Sequence, residues 1–165
     1  MRRITAFVLA FTAVCLLCSC ASVEAVSCGD AIAAGLSVIG GEACGQIYLA
    51  NAEEGSLEYF SEELKLLIYG EHGAERILSR LEDHALYVSS REPSEISVML
   101  CRTRGDTVET AALCLERADT VKVALRGTEW SEQSENIIVS VKGRYVITVF
   151  CENARAVERK ICGML

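Results

Sequence analysis

The chain has 165 residues, of which 51% are hydrophobic and 24% are charged, and its formal net charge is −7. This length is sufficient for one domain with a sizeable core, and the apolar content excludes an intrinsically disordered chain. The excess of acidic residues argues against nucleic acid as a partner, because phosphate binding needs a basic face.

The first predicted element is an export signal. Arg2 and Arg3 precede a charge-free stretch over residues 4–23. Its apolar part, residues 4–17, has the length of a signal-peptide core behind a positively charged start. A transmembrane helix needs about 20 predominantly apolar residues, and this core is shorter.

The stretch ends in Leu17-Cys18-Ser19-Cys20, which resembles the lipobox of bacterial lipoproteins. The resemblance implies that residues 1–19 are a signal peptide cleaved after Ser19, and that Cys20 carries a diacylglyceryl group on its sulfur. Two acyl chains anchor a protein stably where a single chain is marginal. We therefore expect a protein held by lipid on the outer face of the cell membrane.

Two other interpretations of this N-terminus remain open. Secretory cleavage after Val23-Glu24-Ala25 would release a soluble protein that begins at Val26, and an uncleaved segment would itself be the anchor. Cleavage after Ser19 removes two arginines and no acidic residue, so the net charge of −7 becomes −9. Anionic headgroups repel such a surface, so the lipid has to provide the anchoring.

Residues 20–55 are predicted to form a short helix and a glycine-rich segment. Ser27 can cap a helix over residues 27–39, with Asp30 three residues further on. Gly40-Gly41 is expected to end this helix. The rest of the segment is predicted to be irregular, with one short apolar piece at residues 47–49.

Residues 56–165 are predicted to form a single α+β domain. Apolar residues first recur with the helical period, and from residue 84 the period becomes that of strands. The predicted elements are helices over 56–69 and 74–82, strands over 85–90 and 95–103, a helix over 107–125, a polar loop over 127–135, hairpin strands over 136–142 and 144–151, and a helix over 152–164.

This domain contains the same unit twice, a hairpin followed by a helix. The repeat predicts a mostly antiparallel four-stranded sheet with two helices, residues 107–125 and 152–164, on one face. On the last strand we expect Ile147 and Val149 to be buried. The longer helix is expected to turn one face to the sheet, formed by Ala111, Cys114, Leu115, Ala118 and Leu125.

Residues 55–165 resemble an uncharacterised family of Gram-positive bacterial lipoproteins, a domain of unknown function. The resemblance rests on Ala85-Leu86-Tyr87-Val88, on Ser94-Glu95-Ile96-Ser97-Val98, on Arg117 and on Gly143-Arg144-Tyr145-Val146. It implies export and the predicted fold. The family has no established activity, so the resemblance assigns no functional residue.

Six cysteines follow the lipidation site, namely Cys28, Cys44, Cys101, Cys114, Cys151 and Cys162. An even number in an exported chain is typical of disulfides, whereas free cysteine behaves as a small buried hydrophobe, and both interpretations stay open. Cys114–Cys162 is one candidate pair among several, and Cys114 is expected to be inaccessible. No metal or cofactor is predicted, since these cysteines form no Cys-x-x-Cys and neither histidine has ligand spacing to them.

No catalytic signature is present. The chain lacks Gly-x-Ser-x-Gly and Ser-x-x-Lys motifs, and the glycines of residues 35–42 are not followed by a phosphate-binding lysine. We place His72 and His84 at helix ends rather than in a catalytic role. Trp130 is the best candidate for a partner contact, because tryptophan is enriched at interface hot spots. In the alternative interpretation Trp130 folds back over the sheet edge.

These features predict a non-enzymatic interaction or accessory module at the cell envelope. Its expected partners are the membrane, through the lipid, and an envelope protein. A small-ligand or solute-binding lipoprotein is the alternative, with a pocket under residues 126–135, and an enzyme is the third hypothesis. Convergent polar groups in a pocket favour ligand binding, whereas an exposed apolar patch favours an interaction surface.

Overall fold

A computed structural model describes residues 25–39, 44–70 and 74–165. The predicted lipobox with Cys20, the Gly40-Gly41 stop and His72 lie outside these residues. The described elements are α1 (Cys28–Ile39), β1 (Gly45–Leu49), α2 (Glu62–Tyr69), α3 (Ala74–Leu78), β2 (Leu81–Ser89), β3 (Glu95–Cys101), α4 (Asp106–Leu125), α5 (Ser131–Ser134), β4 (Ile138–Lys142), β5 (Tyr145–Phe150) and α6 (Ala154–Met164). None of these helices has the length and apolar character needed to cross a bilayer.

The strands form one antiparallel sheet in the order β1-β2-β3-β5-β4, which confirms the α+β class. The described sheet has five strands rather than the four predicted, because the segment expected to be irregular contains β1. This strand pairs with β2 from Gly45↔Ser89 to Leu49↔Ala85. A Cβ at Gly45 would lie 2.3 Å from the carbonyl oxygen of Val88, so glycine permits the close approach that pairing requires.

The predicted hairpin is present at the opposite side of the sheet. Strands β4 and β5 pair up to Lys142↔Tyr145, and Gly143 in the turn has φ of 63°. Glycine adopts this left-handed conformation without the penalty that a Cβ would cause. Strand β5 lies between β3 and β4, which leaves β4 as the last strand of the sheet.

Two of the three inner strands, β3 and β5, are buried along their whole length, so both of their faces need a covering layer. On one face, Val98 and Ile147 pack with α1 and α6. On the other, Met99 and Val146 pack with α2, α3 and α4. We call these the α6 face and the α4 face. The expected burial of Ile147 and Val149 is confirmed, since both are fully buried on the α6 face.

The prediction that the two long helices share one face is wrong. Helix α4 packs on one side of the sheet and α6 on the other, since one cluster contains Leu113 and Cys114 and the other contains Val157 and Ile161. The physical reason is that apolar residues alternate to both sides of β3 and β5, so each face needs a helix. Helix α1, from the N-terminal third, completes the α6 face.

Helix α4 is also rotated relative to the predicted orientation. Cys114 and Ala118 are buried as expected, but Leu115 is 54% exposed. Thr107 and Thr110 take its place against the core. Their hydroxyls donate to carbonyl oxygens one turn earlier in the chain, which satisfies them without solvent.

Candidate functional site

The six cysteines do not converge on a reactive site. All six are free thiols, and Cys28, Cys101, Cys114 and Cys151 are buried. Cys114 and Cys162 lie on opposite faces of the sheet, so they cannot pair with each other. Burial raises the pKa of Cys114 to about 12 and that of Cys151 to about 11, which keeps both as unreactive thiols.

Trp130 is partly buried and stands just before the short helix α5. Its backbone N–H donates to the Thr128 hydroxyl at 3.2 Å. The residue belongs to neither of the two core clusters. Its assignment as a partner contact stays a prediction.

A buried polar cluster that the sequence does not predict lies on the α4 face. His84 sits within β2 rather than at a helix end, and it is 1% exposed. The Tyr69 hydroxyl is 3.2 Å from His84 Nε2 and 2.9 Å from Ser97 Oγ, and the Phe60 ring centroid is 4.7 Å from that of His84. These three polar groups bind one another inside an apolar layer.

The position of His84 sets its chemistry. Burial, with a smaller contribution from Lys65, lowers the pKa of His84 to about 3, so the imidazole is neutral near pH 7. Its Nδ1 has no hydrogen-bond partner among the described residues. A base enclosed in this way cannot reach a substrate that arrives from solvent, so the cluster supports the core rather than catalysis.

A groove of about 240 Å³ opens at the far end of the same face. At its base Arg117 Nη2 lies 2.8 Å from Glu95 Oε2, and the Arg117 Nε has no partner among the described residues. Much of the wall is apolar, with Val88, Val121 and Phe150 among its residues. The groove lies near residues 126–135, the loop under which the sequence predicts a pocket. Leu125 and Pro93 both line the groove, and the Pro93 carbonyl oxygen accepts a hydrogen bond from Gln133 in that loop.

The two edges of the sheet differ in whether another segment covers them. The outer side of β1 is covered at its last residue by the segment that precedes α2, because Leu49 N–H donates to Glu58 O at 2.7 Å and Phe60 N–H donates to Leu49 O at 3.2 Å. No described segment pairs with the outer side of β4. Natural proteins usually cover or block such an edge, since its unpaired backbone groups bind other strands.

The register of β4 identifies the free backbone groups. Lys142 and Tyr145 flank the hairpin turn and form the pair nearest to it. Hydrogen-bonded and non-hydrogen-bonded pairs alternate along antiparallel strands, so the N–H and C=O groups of Val139 and Val141 point away from β5. The side chain of Lys142 does not block them, because its Nζ donates to Cys162 O at the end of α6.

On the α4 face, the open edge borders exposed apolar side chains. Val141 is 50% exposed, and on α4 Leu115 is 54% and Val108 is 74% exposed. Ala111 lies between Val108 and Leu115 on the helix surface, and it packs against the same cluster as Val139 of β4. These residues therefore form an apolar strip beside the strand.

On the α6 face, the edge borders a groove of about 510 Å³. Ile138 of β4 lines it together with Arg155 and Arg159, which are one turn apart on α6. Both arginines are exposed, and neither forms an ion pair with a described carboxylate. The nearby Glu158 is already engaged, since it accepts from the Ser140 hydroxyl at 3.0 Å.

We call this region the β4 surface. It consists of strand β4, with Val108 and Leu115 on one side and Arg155 and Arg159 on the other. Sequence reasoning identified β4 as a strand but not as an open edge, because strand order depends on long-range pairing. The available signal was the pair of arginines four residues apart in the final helix.

Comparisons with known proteins add no assignment. No family model matches the chain, and neither a curated protein nor a solved structure matches it. The resemblance to Gram-positive lipoproteins stays a prediction. Within the described residues, no three His, Cys, Asp or Glu side chains are placed to hold a metal ion.

Proposed function

We propose that the protein is a lipid-anchored extracytoplasmic lipoprotein that acts as a non-enzymatic interaction or accessory module at the cell envelope. The observation that supports an interaction role is the β4 surface. There a strand edge that no described segment pairs with lies beside exposed Val141, Leu115 and Val108. An added strand would gain backbone hydrogen bonds from such an edge and affinity from the adjoining apolar side chains.

The state of the nucleophiles and bases supports a non-enzymatic role. His84 is enclosed and neutral, and the thiols of Cys114 and Cys151 are held protonated by burial. Covalent catalysis needs an activated nucleophile within reach of a base and of the substrate. None of these three groups meets that requirement.

The spacing between the proposed anchor and the first helix limits how far the domain can lie from the membrane. Cys28, the first residue of α1, follows Cys20 by eight positions. Eight residues span at most about 30 Å, so lipid on Cys20 would keep the domain close to the membrane. A partner of this module is then itself a membrane or envelope component.

The anchor is tested by changing Cys20 to alanine. The variant should move from the membrane fraction to the medium, or accumulate as unprocessed precursor, because the sulfur that receives the lipid is absent. Cell fractionation with immunoblotting measures both outcomes. A variant that stays membrane-bound at the mature size would show that the lipoprotein assignment is wrong.

The interaction role is tested by quantitative pull-down of the full-length protein from envelope membranes, followed by mass spectrometry. Val141→Lys places a charge on the open edge, and Leu57→Lys is the matched control at an 88% exposed position next to the covered edge. We expect a set of proteins that wild type and Leu57→Lys enrich and that Val141→Lys loses. Equal enrichment by all three would mean that the β4 surface is not the binding surface.

The alternative function, binding of a small ligand, is favoured by one observation. Arg117 lines a groove with apolar walls, and its buried Nε has no hydrogen-bond partner among the described residues. A small molecule with an apolar body and a hydrogen-bond acceptor has the matching chemistry. Native mass spectrometry of the purified protein tests this, since a retained small molecule that Val121→Trp displaces would support ligand binding over protein binding.

A further inference from the structure

The chemistry on the two sides of β4 indicates what kind of chain binds there. This inference rests on the proposed interaction role and goes further, because it names the partner's chemistry. We infer that β4 pairs with an extended partner segment in which acidic and apolar side chains alternate. The segment becomes a sixth strand, with its acidic residues on the α6 face and its apolar residues on the α4 face.

The open edge of β4 offers backbone hydrogen-bonding groups to a partner. Val139 and Val141 present unpaired N–H and C=O groups, and no described segment occupies their side of the sheet. An extended chain can satisfy these groups with the same ladder that joins β4 to β5. Side chains of the added strand then point alternately to the two faces of the sheet.

Charge determines which side chains the added strand turns toward the α6 face. On the α6 face, the added strand passes the groove that contains Arg155 and Arg159, and neither arginine has an ion-pair partner among the described residues. Glu158 accepts from Ser140, and Glu135 lies 4.0 Å from Lys122 Nζ. Glu152 also lines the groove, but it forms no ion pair with either arginine. A carboxylate on the partner supplies the missing counter-charge, and guanidinium groups bind carboxylates with matched geometry.

Apolar surface determines which side chains the added strand turns toward the α4 face. On the α4 face, the added strand lies beside Val141, with Leu115 and Val108 beyond it. Small β-branched side chains pack well on such a surface. A basic segment would meet Arg155 and Arg159 with like charge, and a wholly polar one would leave the apolar strip uncovered.

The test uses a fluorescent, end-blocked peptide of about seven alternating Glu and Val residues, a typical strand length. The full-length protein is purified in detergent micelles, and binding is followed by fluorescence anisotropy. Arg159→Glu should weaken binding about five- to tenfold at low salt, since it turns an attraction into a repulsion. Lys160→Glu is the matched control, because it makes the same charge change one position along α6, outside the groove, and should leave affinity unchanged.

Two further measurements locate the binding. Hydrogen exchange should slow at the amides of residues 137–142 when the peptide is bound, and a Lys/Val peptide should bind Arg159→Glu better than wild type. No binding of the Glu/Val peptide, equal loss in both variants, or protection elsewhere would overturn the inference. So would sedimentation of the unliganded protein as a dimer with its β4 amides already protected, because a second copy would then occupy the edge. The pull-down with Val141→Lys does not depend on these outcomes, so the interaction role can survive the failure of this inference.

Discussion

Mild acid should destabilise the fold through His84. This side chain is 1% exposed, and its imidazole is surrounded by Phe60, Tyr69 and Ser97. Protonation would place a charge in this apolar layer, where no described carboxylate bonds to the imidazole. In the unfolded chain water solvates the protonated imidazole, so protons bind preferentially to the unfolded state.

The size of the effect follows from the two pKa values. The pKa of His84 is about 3 in the folded protein against an ordinary value of 6.5. Between these values the unfolded state binds more protons. The contribution of His84 to the free energy of unfolding is therefore fully present above pH 6.5 and is lost as the pH decreases. From pH 7 to pH 5 the loss is about 2 kcal/mol, or a melting temperature lower by roughly 4–8 °C in a domain of this size.

The assay compares the wild type with His84→Gln by thermal unfolding at pH 7 and pH 5. Glutamine retains hydrogen-bonding groups for Tyr69 and Ser97 but cannot titrate in this range. All other titratable groups are the same in both proteins, so the difference between the two isolates His84. The variant should lose about 2 kcal/mol less than the wild type on acidification. The same pH dependence in both proteins would show that His84 is not enclosed in this way.

Three other outcomes test the packing. Ile147→Ala should lower the free energy of unfolding by about 2–5 kcal/mol in chemical denaturation, because Ile147 is fully buried. Val141→Ala at the open edge should lower it by less than about 1 kcal/mol, and similar losses in the two variants would refute the assignment of core and edge. Gly45→Ala should cost about 1–3 kcal/mol, since its methyl group would lie 2.3 Å from Val88 O, and an unchanged midpoint would mean that β1 does not pair there. Native thiol labelling should modify the partly exposed Cys162 well before Cys114, which is 1% exposed, and rapid labelling of Cys114 would show that α4 is turned outward.

Local patterns were sufficient to predict most elements of this fold. The helices near residues 28–39 and 106–125 and the β4–β5 hairpin follow from spacing, capping and turn residues close together in the chain. Strand β1 was missed because a glycine-rich segment gives no strand signal by itself. Its pairing depends on a close approach between Gly45 and Val88, and that contact becomes apparent only in three dimensions.

The arrangement of helices around the sheet was harder to predict. Residues 145–150 alternate apolar side chains to both faces, which indicates that both faces are covered. The pattern does not say which helix covers which face, since this depends on the crossover between β3 and β4 and on α1. The His84 cluster was hidden for a similar reason, because its members Tyr69 and Ser97 come from other elements.

The central claim, that the β4 surface is where this module meets its partner, is tested most directly by photo-crosslinking in intact cells. A benzoylphenylalanine at position 141 reports on the open edge, and the same residue at position 57 reports on the covered edge. We predict an ultraviolet-dependent adduct of defined mass from position 141 and none from position 57. Adducts from position 57 alone, or none from position 141 at native expression, would contradict the claim.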